Sequence, residues 1–82
     1  MNIIICGAGE VGFSLAKYLA SENMQVTVID ERSEKLNKVS SAIDVRSIVG
    51  KTYNPNILLE AGAEKADLLI AVSENDEREF KL

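Results

Sequence analysis

The sequence predicts an α/β fold on a parallel sheet, and three observations carry that reading. Short apolar runs alternate with segments of helical period, in the order β-α-β-α-β-α-β. The first run, Ile3-Ile4-Ile5-Cys6, passes at once into Gly7-Ala8-Gly9-Glu10-Val11-Gly12, a G-x-G-x-x-G pattern that opens a helix. Asp30 closes the second run, eighteen positions beyond Gly12. Strand, glycine turn, helix, strand and acid in that order form a dinucleotide-binding fingerprint.

Each element has its own justification. Strand one is read as Asn2 to Cys6, and helix one as starting near Glu10. Val11, Leu15, Tyr18 and Leu19 recur on one helical face. The small residues Ala8, Gly12 and Ala16 let the helix lie close to the sheet. Glu22-Asn23 marks the turn into strand two, Gln25 to Ile29, whose β-branched run suits a pleated, buried surface. Helix two is expected to take Ser33 as its N-cap, with Leu36, Val39 and Ile43 on its inner edge. Strand three is Val45 to Val49, ended by Gly50. Helix three has Asn54 as cap, Pro55 as first residue and Gly62 just past its end, the asymmetry helices prefer. Strand four is Asp67 to Val72. A last, mostly charged helix follows, capped by Ser73 or Asn75. Apolar strands without alternation fit a sheet covered on both faces. Right-handed crossovers then give a Rossmann-type doubly wound sheet with strand order 3-2-1-4.

Composition bounds the function. A chain of 82 residues holds one small domain, and 46% apolar residues support a packed core. The net charge of −4, with lysines and arginines scattered, argues against a nucleic-acid partner. The one cysteine, Cys6, cannot form an internal disulfide, and in strand one it reads as a small core hydrophobe. With no histidine, imidazole acid/base chemistry is absent. No run reaches the length of a signal peptide's core or a membrane span, and a cytoplasmic location is expected.

The glycines have separate mechanical reasons. Gly7 permits the tight turn out of strand one, Gly9 lets a pyrophosphate approach the backbone, and Gly12 lets helix and strand pack closely. The amides of Glu10 and Val11 point out of the helix start, where they can bind anionic oxygen. The Glu10 side chain is expected to point away from a phosphate. Asp30 can accept hydrogen bonds from both hydroxyls of an adenosine ribose, which favours NAD over NADP. Arg32, two residues on, is placed to accommodate a 2′-phosphate and works against that preference. Glu31 lies between them and is counted in the same site.

Several segments together resemble a known family. Ile3 to Gly12, Val26 to Asp30, Ile48-Val49-Gly50, Leu59-Glu60-Ala61-Gly62-Ala63 and Ala66-Asp67-Leu68-Leu69-Ile70-Ala71-Val72 are similar to the TrkA amino-terminal domain. That domain is also called RCK or KTN, the nucleotide-binding module of regulators of potassium conductance. The resemblance implies a Rossmann-type sensor of NAD(H), with ADP or ATP as the alternative cofactor, serving a membrane potassium transporter from the inner face of the membrane. By motif match Gly7 to Val11 hold the phosphates, Asp30 holds the ribose, and Ser73 and Glu74 face the nucleotide. The family commonly places an acid after the glycine that ends strand three; here Lys51 follows Gly50, and lysine accepts no hydrogen bond. Lys51 is either solvated or reaches a phosphate.

The family domain normally continues through two more strands, so residues 1–82 read as a partial nucleotide-binding domain. Strand four then stands at a sheet edge with the composition of a central strand, which invites a homo-oligomer, a dimer joined through strand four and the last helix, or marks a fragment of a larger protein. A binding and regulatory module is the favoured function and an enzyme is not expected. The alternatives are the cofactor domain of an NAD-dependent dehydrogenase, with Lys51 and Tyr53 in principle an acid/base pair although Tyr53, in the connection before helix three, reads more readily as a packing residue, and a structural domain without ligand.

Overall fold

The structure, a computed structural model, describes residues 1–72. Its elements are β1 (Asn2–Cys6), α1 (Glu10–Ser21), β2 (Gln25–Asp30), α2 (Ser33–Ala42), β3 (Arg46–Val49), α3 (Pro55–Glu60), a 3₁₀ turn at Ala63–Lys65 and β4 (Leu68–Ala71). The four strands are all parallel, in the order β3-β2-β1-β4. This is the doubly wound α/β arrangement that the sequence pattern leads to.

Side-chain alternation along β1 divides the core. Ile3 and Ile5 face one side, with Val26, Val28, Ala16 of α1, and Leu36 and Val39 of α2. Ile4 and Cys6 face the other, with Ile29 and Ile48, covered by Ile57 and Leu58 of α3. β1 is thus buried on both faces, and each of its fully buried isoleucines contributes about 1.5–3 kcal/mol relative to exposure. The register Ile3↔Val26, Ile5↔Val28 and Ile5↔Ile70 brings the carboxyl ends of these strands level. At the other end the first and last strands are clamped: the Asn2 amide donates to Asp67 Oδ2 at 2.7 Å, and the Asp67 amide to the Asn2 carbonyl at 2.8 Å.

Four local expectations need correction. In α1 the seam against the sheet is Gly12 and Ala16, while Tyr18 is 62% exposed. Close approach requires small residues, so they, and not the bulkiest side chains, set the phase of this helix. In α2 the N-cap is Arg32, and Ser33 is the first helical residue. Leu36 and Val39 are buried as expected, but Ile43 follows the helix in an extended conformation, from which it still packs on the core. The strand ends also shift: β3 begins at Arg46 and β4 is Leu68–Ala71. Helix three matches its expected punctuation: Asn54 Oδ1 accepts from the Asn56 amide at 2.9 Å, Pro55 is in the first turn, and Gly62 has φ of 91°. The last helix expected from the sequence, with Ser73 and Asn75 as candidate caps, lies outside the described residues.

Candidate functional site

The glycine turn and Asp30 meet at the carboxyl ends of the strands, beside the point where the strand order reverses between β1 and β4. In open α/β sheets that crevice is where ligands bind. Gly7 has φ of +121°, its amide donates to the Ile29 carbonyl at 2.8 Å, and a Cβ there would run into the Val72 carbonyl oxygen. At Gly12 a Cβ would overlap the Gly7 carbonyl, so that glycine fixes how closely α1 follows the turn. Gly9 is the N-cap of α1 and supplies no side chain to its first turn. Its carbonyl accepts from the Phe13 amide at 2.8 Å.

Asp30 joins this turn to the start of α2. It is only 4% exposed, and its Oδ2 accepts from the Ala8 amide at 2.8 Å. Oδ1 accepts from the Arg32 amide at 2.8 Å and from Arg32 Nε at 2.9 Å, while Arg32 Nη2 donates to Oδ2 at 2.9 Å. Burial pushes the Asp30 carboxyl upward. The Arg32 fork, the Ala8 and Arg32 amides and the Arg32 charge outweigh it and hold the pKa at about 2. The carboxylate is therefore ionised across the neutral range.

A cleft of about 390 Å³ opens here, lined by Cys6, Gly7, Asp30, Glu31, Arg32, Thr52 and Val72. Thr52 carried no motif, and only its place two residues after Gly50 could have singled it out. Ala8 is buried and reaches Asp30 through its amide. Glu10 and Val11 line a separate hollow along α1, shared with Leu15 and Tyr18. Lys51 does not line the cleft, but it neighbours Thr52, which does. Its Nζ lies 3.7 Å from Glu31 Oε1 and 5.7 Å from the centre of the Tyr53 ring. Tyr53 and the Glu31 charge raise the Lys51 pKa, and the exposed ion pair contributes little to stability. Tyr53 itself is 73% exposed, so it is not the packing residue its position suggested. Cys6 is buried, and burial pushes its thiol up, away from thiolate chemistry. Ser73 and Glu74 lie outside the described residues. A third depression, of about 600 Å³, lies at the amino-terminal end of the strands around Asn2 and Gln25, away from the glycine turn.

Fold and site together define a Rossmann-type module with a G-x-G-x-x-G turn at the head of its first helix. The TrkA-N domain family matches residues 3–82, and the chain belongs to that family. It is 44% identical over 77 residues to the Trk system potassium uptake protein TrkA of Azorhizobium caulinodans, covering 94% of this chain and 17% of that protein. The Archaeoglobus fulgidus TrkA homolog is likewise 44% identical over 77 residues, with the same shares of each chain. The Streptomyces coelicolor TrkA is 36% identical over 76 residues, covering 93% of this chain and 34% of that one. The chain thus spans about a sixth of the first two relatives. Among solved structures it is similar to the Kef C-terminal domain of Shewanella denitrificans in its AMP-bound form. That likeness has a TM-score of 0.72 and 26% identity, over 94% of this chain and 46% of the other. Among the described residues no helix is long and apolar enough to cross a membrane.

Proposed function

We propose that this chain is the nucleotide-binding part of a regulator of potassium uptake, and that it acts by binding and not by catalysis. The observation that carries the reading is the direct bond from the Ala8 amide to the buried Asp30 carboxylate, which makes the glycine turn and the ribose acid one preformed unit. Gly7 to Gly12 receive the phosphates at the start of α1, Asp30 receives the ribose, and Glu31, Arg32 and Lys51 border the adenosine. Ser73 and Glu74 are assigned to the same ligand by family likeness. NAD(H) is the first candidate ligand and ADP or ATP the alternative; the AMP-bound Kef neighbour supports the adenosine half. The names of the TrkA relatives support a membrane potassium transporter as the partner, with the domain a homo-oligomer on the cytoplasmic side. Regulation then requires the nucleotide to bind two states of the assembly with different affinity.

Thermal unfolding with NAD, NADH, AMP, ADP, ATP and NADP in parallel tests this, on wild type and Asp30→Asn. A ligand at 100 times its Kd adds about 2.7 kcal/mol, a shift of many degrees for a domain this small. Stabilisation by an adenine nucleotide that is lost in Asp30→Asn is the expected result. No shift with any of the six would overturn the reading and leave a structural role.

A further inference from the structure

We infer that Arg32 is a built-in competitor for the ribose, occupying the carboxylate positions on Asp30 that a nucleotide's vicinal diol needs. The inference rests on the nucleotide reading above. An ionised carboxylate offers about four acceptor positions. At Asp30 four donors fill them: the amides of Ala8 and Arg32, and the Nε and Nη2 of Arg32.

The four donors are not equally exchangeable. The two amides belong to the glycine turn and the start of α2, and the backbone fixes them. The other two are the planar fork of one flexible side chain. That fork places two parallel donors on one carboxylate, as the 2′- and 3′-hydroxyls of a ribose would. The guanidinium also lies on the solvent side of the pair: the Arg32 side chain is 32% exposed and that of Asp30 5%. A diol therefore reaches Asp30 only by displacing the Arg32 fork, while the Ala8 and Arg32 amides stay in place.

Competition of this kind weakens every ligand that presents a diol and leaves others untouched. If the fork is engaged nine-tenths of the time, the apparent Kd of a diol ligand is raised about tenfold. Arg32 thereby sets how much nucleotide is needed to fill the site.

The test is calorimetric titration of the 82-residue chain with ADP, 2′,3′-dideoxy-ADP, NAD and NADP, for wild type, Arg32→Ala and Arg32→Lys. Arg32→Lys keeps the charge, loses the fork and serves if Arg32→Ala fails to fold. Both variants are expected to bind ADP about fivefold or more tightly than wild type, with the dideoxy analogue changed less than about twofold. Unchanged or weaker ADP binding in the variants overturns the inference. Equal tightening of ADP and its dideoxy analogue overturns it too, because that marks a charge or access effect. A wild-type preference for NADP over NAD overturns it by making Arg32 a phosphate receiver. ADP binding to wild type without a gain in the variants removes the competitor and leaves the nucleotide reading standing. No binding by wild type or either variant removes both.

Discussion

Asp30 ties the glycine turn to β2 through the Ala8 amide, and it does so most strongly while ionised, because a carboxylate accepts more strongly than a carboxylic acid. Its pKa is about 2 in the folded chain against 3.8 unperturbed. The folded value is the lower, so the stabilisation is fully present above about pH 4 and is lost as pH falls from there through about 2. After discounting for the partly exposed Arg32 partner, it is worth about 1–2 kcal/mol. Urea unfolding of wild type and Asp30→Asn at pH 6 and pH 2.5 should give a stability gap that narrows by about 1 kcal/mol or more in acid. A gap independent of pH would separate the bond from the charge. Gly7→Ala is expected to cost about 2 kcal/mol or more, since a positive φ and the Val72 carbonyl both oppose a Cβ; an unchanged melting temperature would refute it. The position of Asp30 was legible in the sequence because a strand end followed by an acid is a local pattern. The return of Arg32 onto it was not. That contact depends on the backbone turn between β2 and α2, and two residues of spacing alone do not decide whether a side chain folds back or reaches outward.

α3 spans six residues, too short to hold itself as an isolated helix, and its ends are correspondingly well defined. Asn54→Ala removes the side-chain cap and should cost about 1 kcal/mol. Gly62→Ala should cost about 1 kcal/mol by conformation alone, because a Cβ there meets nothing within 4 Å. Chemical denaturation of both single variants and the pair checks these values. Both caps act on one short helix, so a double-variant loss well beyond the sum would show that α3 detaches as a unit. This punctuation could be read from the chain because Asn, Pro and Gly act through their own backbone geometry. The phase of α1 could not be read from its large residues. Tyr18 shares their periodicity yet faces solvent, since the distance from helix to sheet is set where Gly12 meets the Gly7 carbonyl. A pattern of hydrophobicity records which residues are apolar and leaves out which are small enough to touch.

The sheet is asymmetric as a whole. β1 is buried on both faces, whereas β4, on the outside of the sheet formed by the described residues, leaves Leu68 47% and Leu69 45% exposed. An apolar strand without a second neighbour is a template for another chain. The 82-residue chain should therefore self-associate as concentration rises, and Leu69→Lys should shift it toward monomer in sedimentation velocity. A monomer at millimolar concentration before the substitution would refute the expectation. The strand order itself could be foreseen from alternation and handedness, while the degree of exposure of β4 depends on what else covers it and is not a property of its own residues. The clamp between Asn2 and Asp67 joins residues 65 apart in the chain. A chain made from its amino terminus completes β1 first, and β2 can pair with it soon after. The other edge of β1 waits for Leu68–Ala71, because β4 is the strand that pairs with it there. Of the four described strands the most deeply buried is thus made first yet keeps one edge unpaired until β4 follows, and a pause in translation before Asp67 leaves Ile3, Ile4 and Ile5 beside an open edge on a nascent chain.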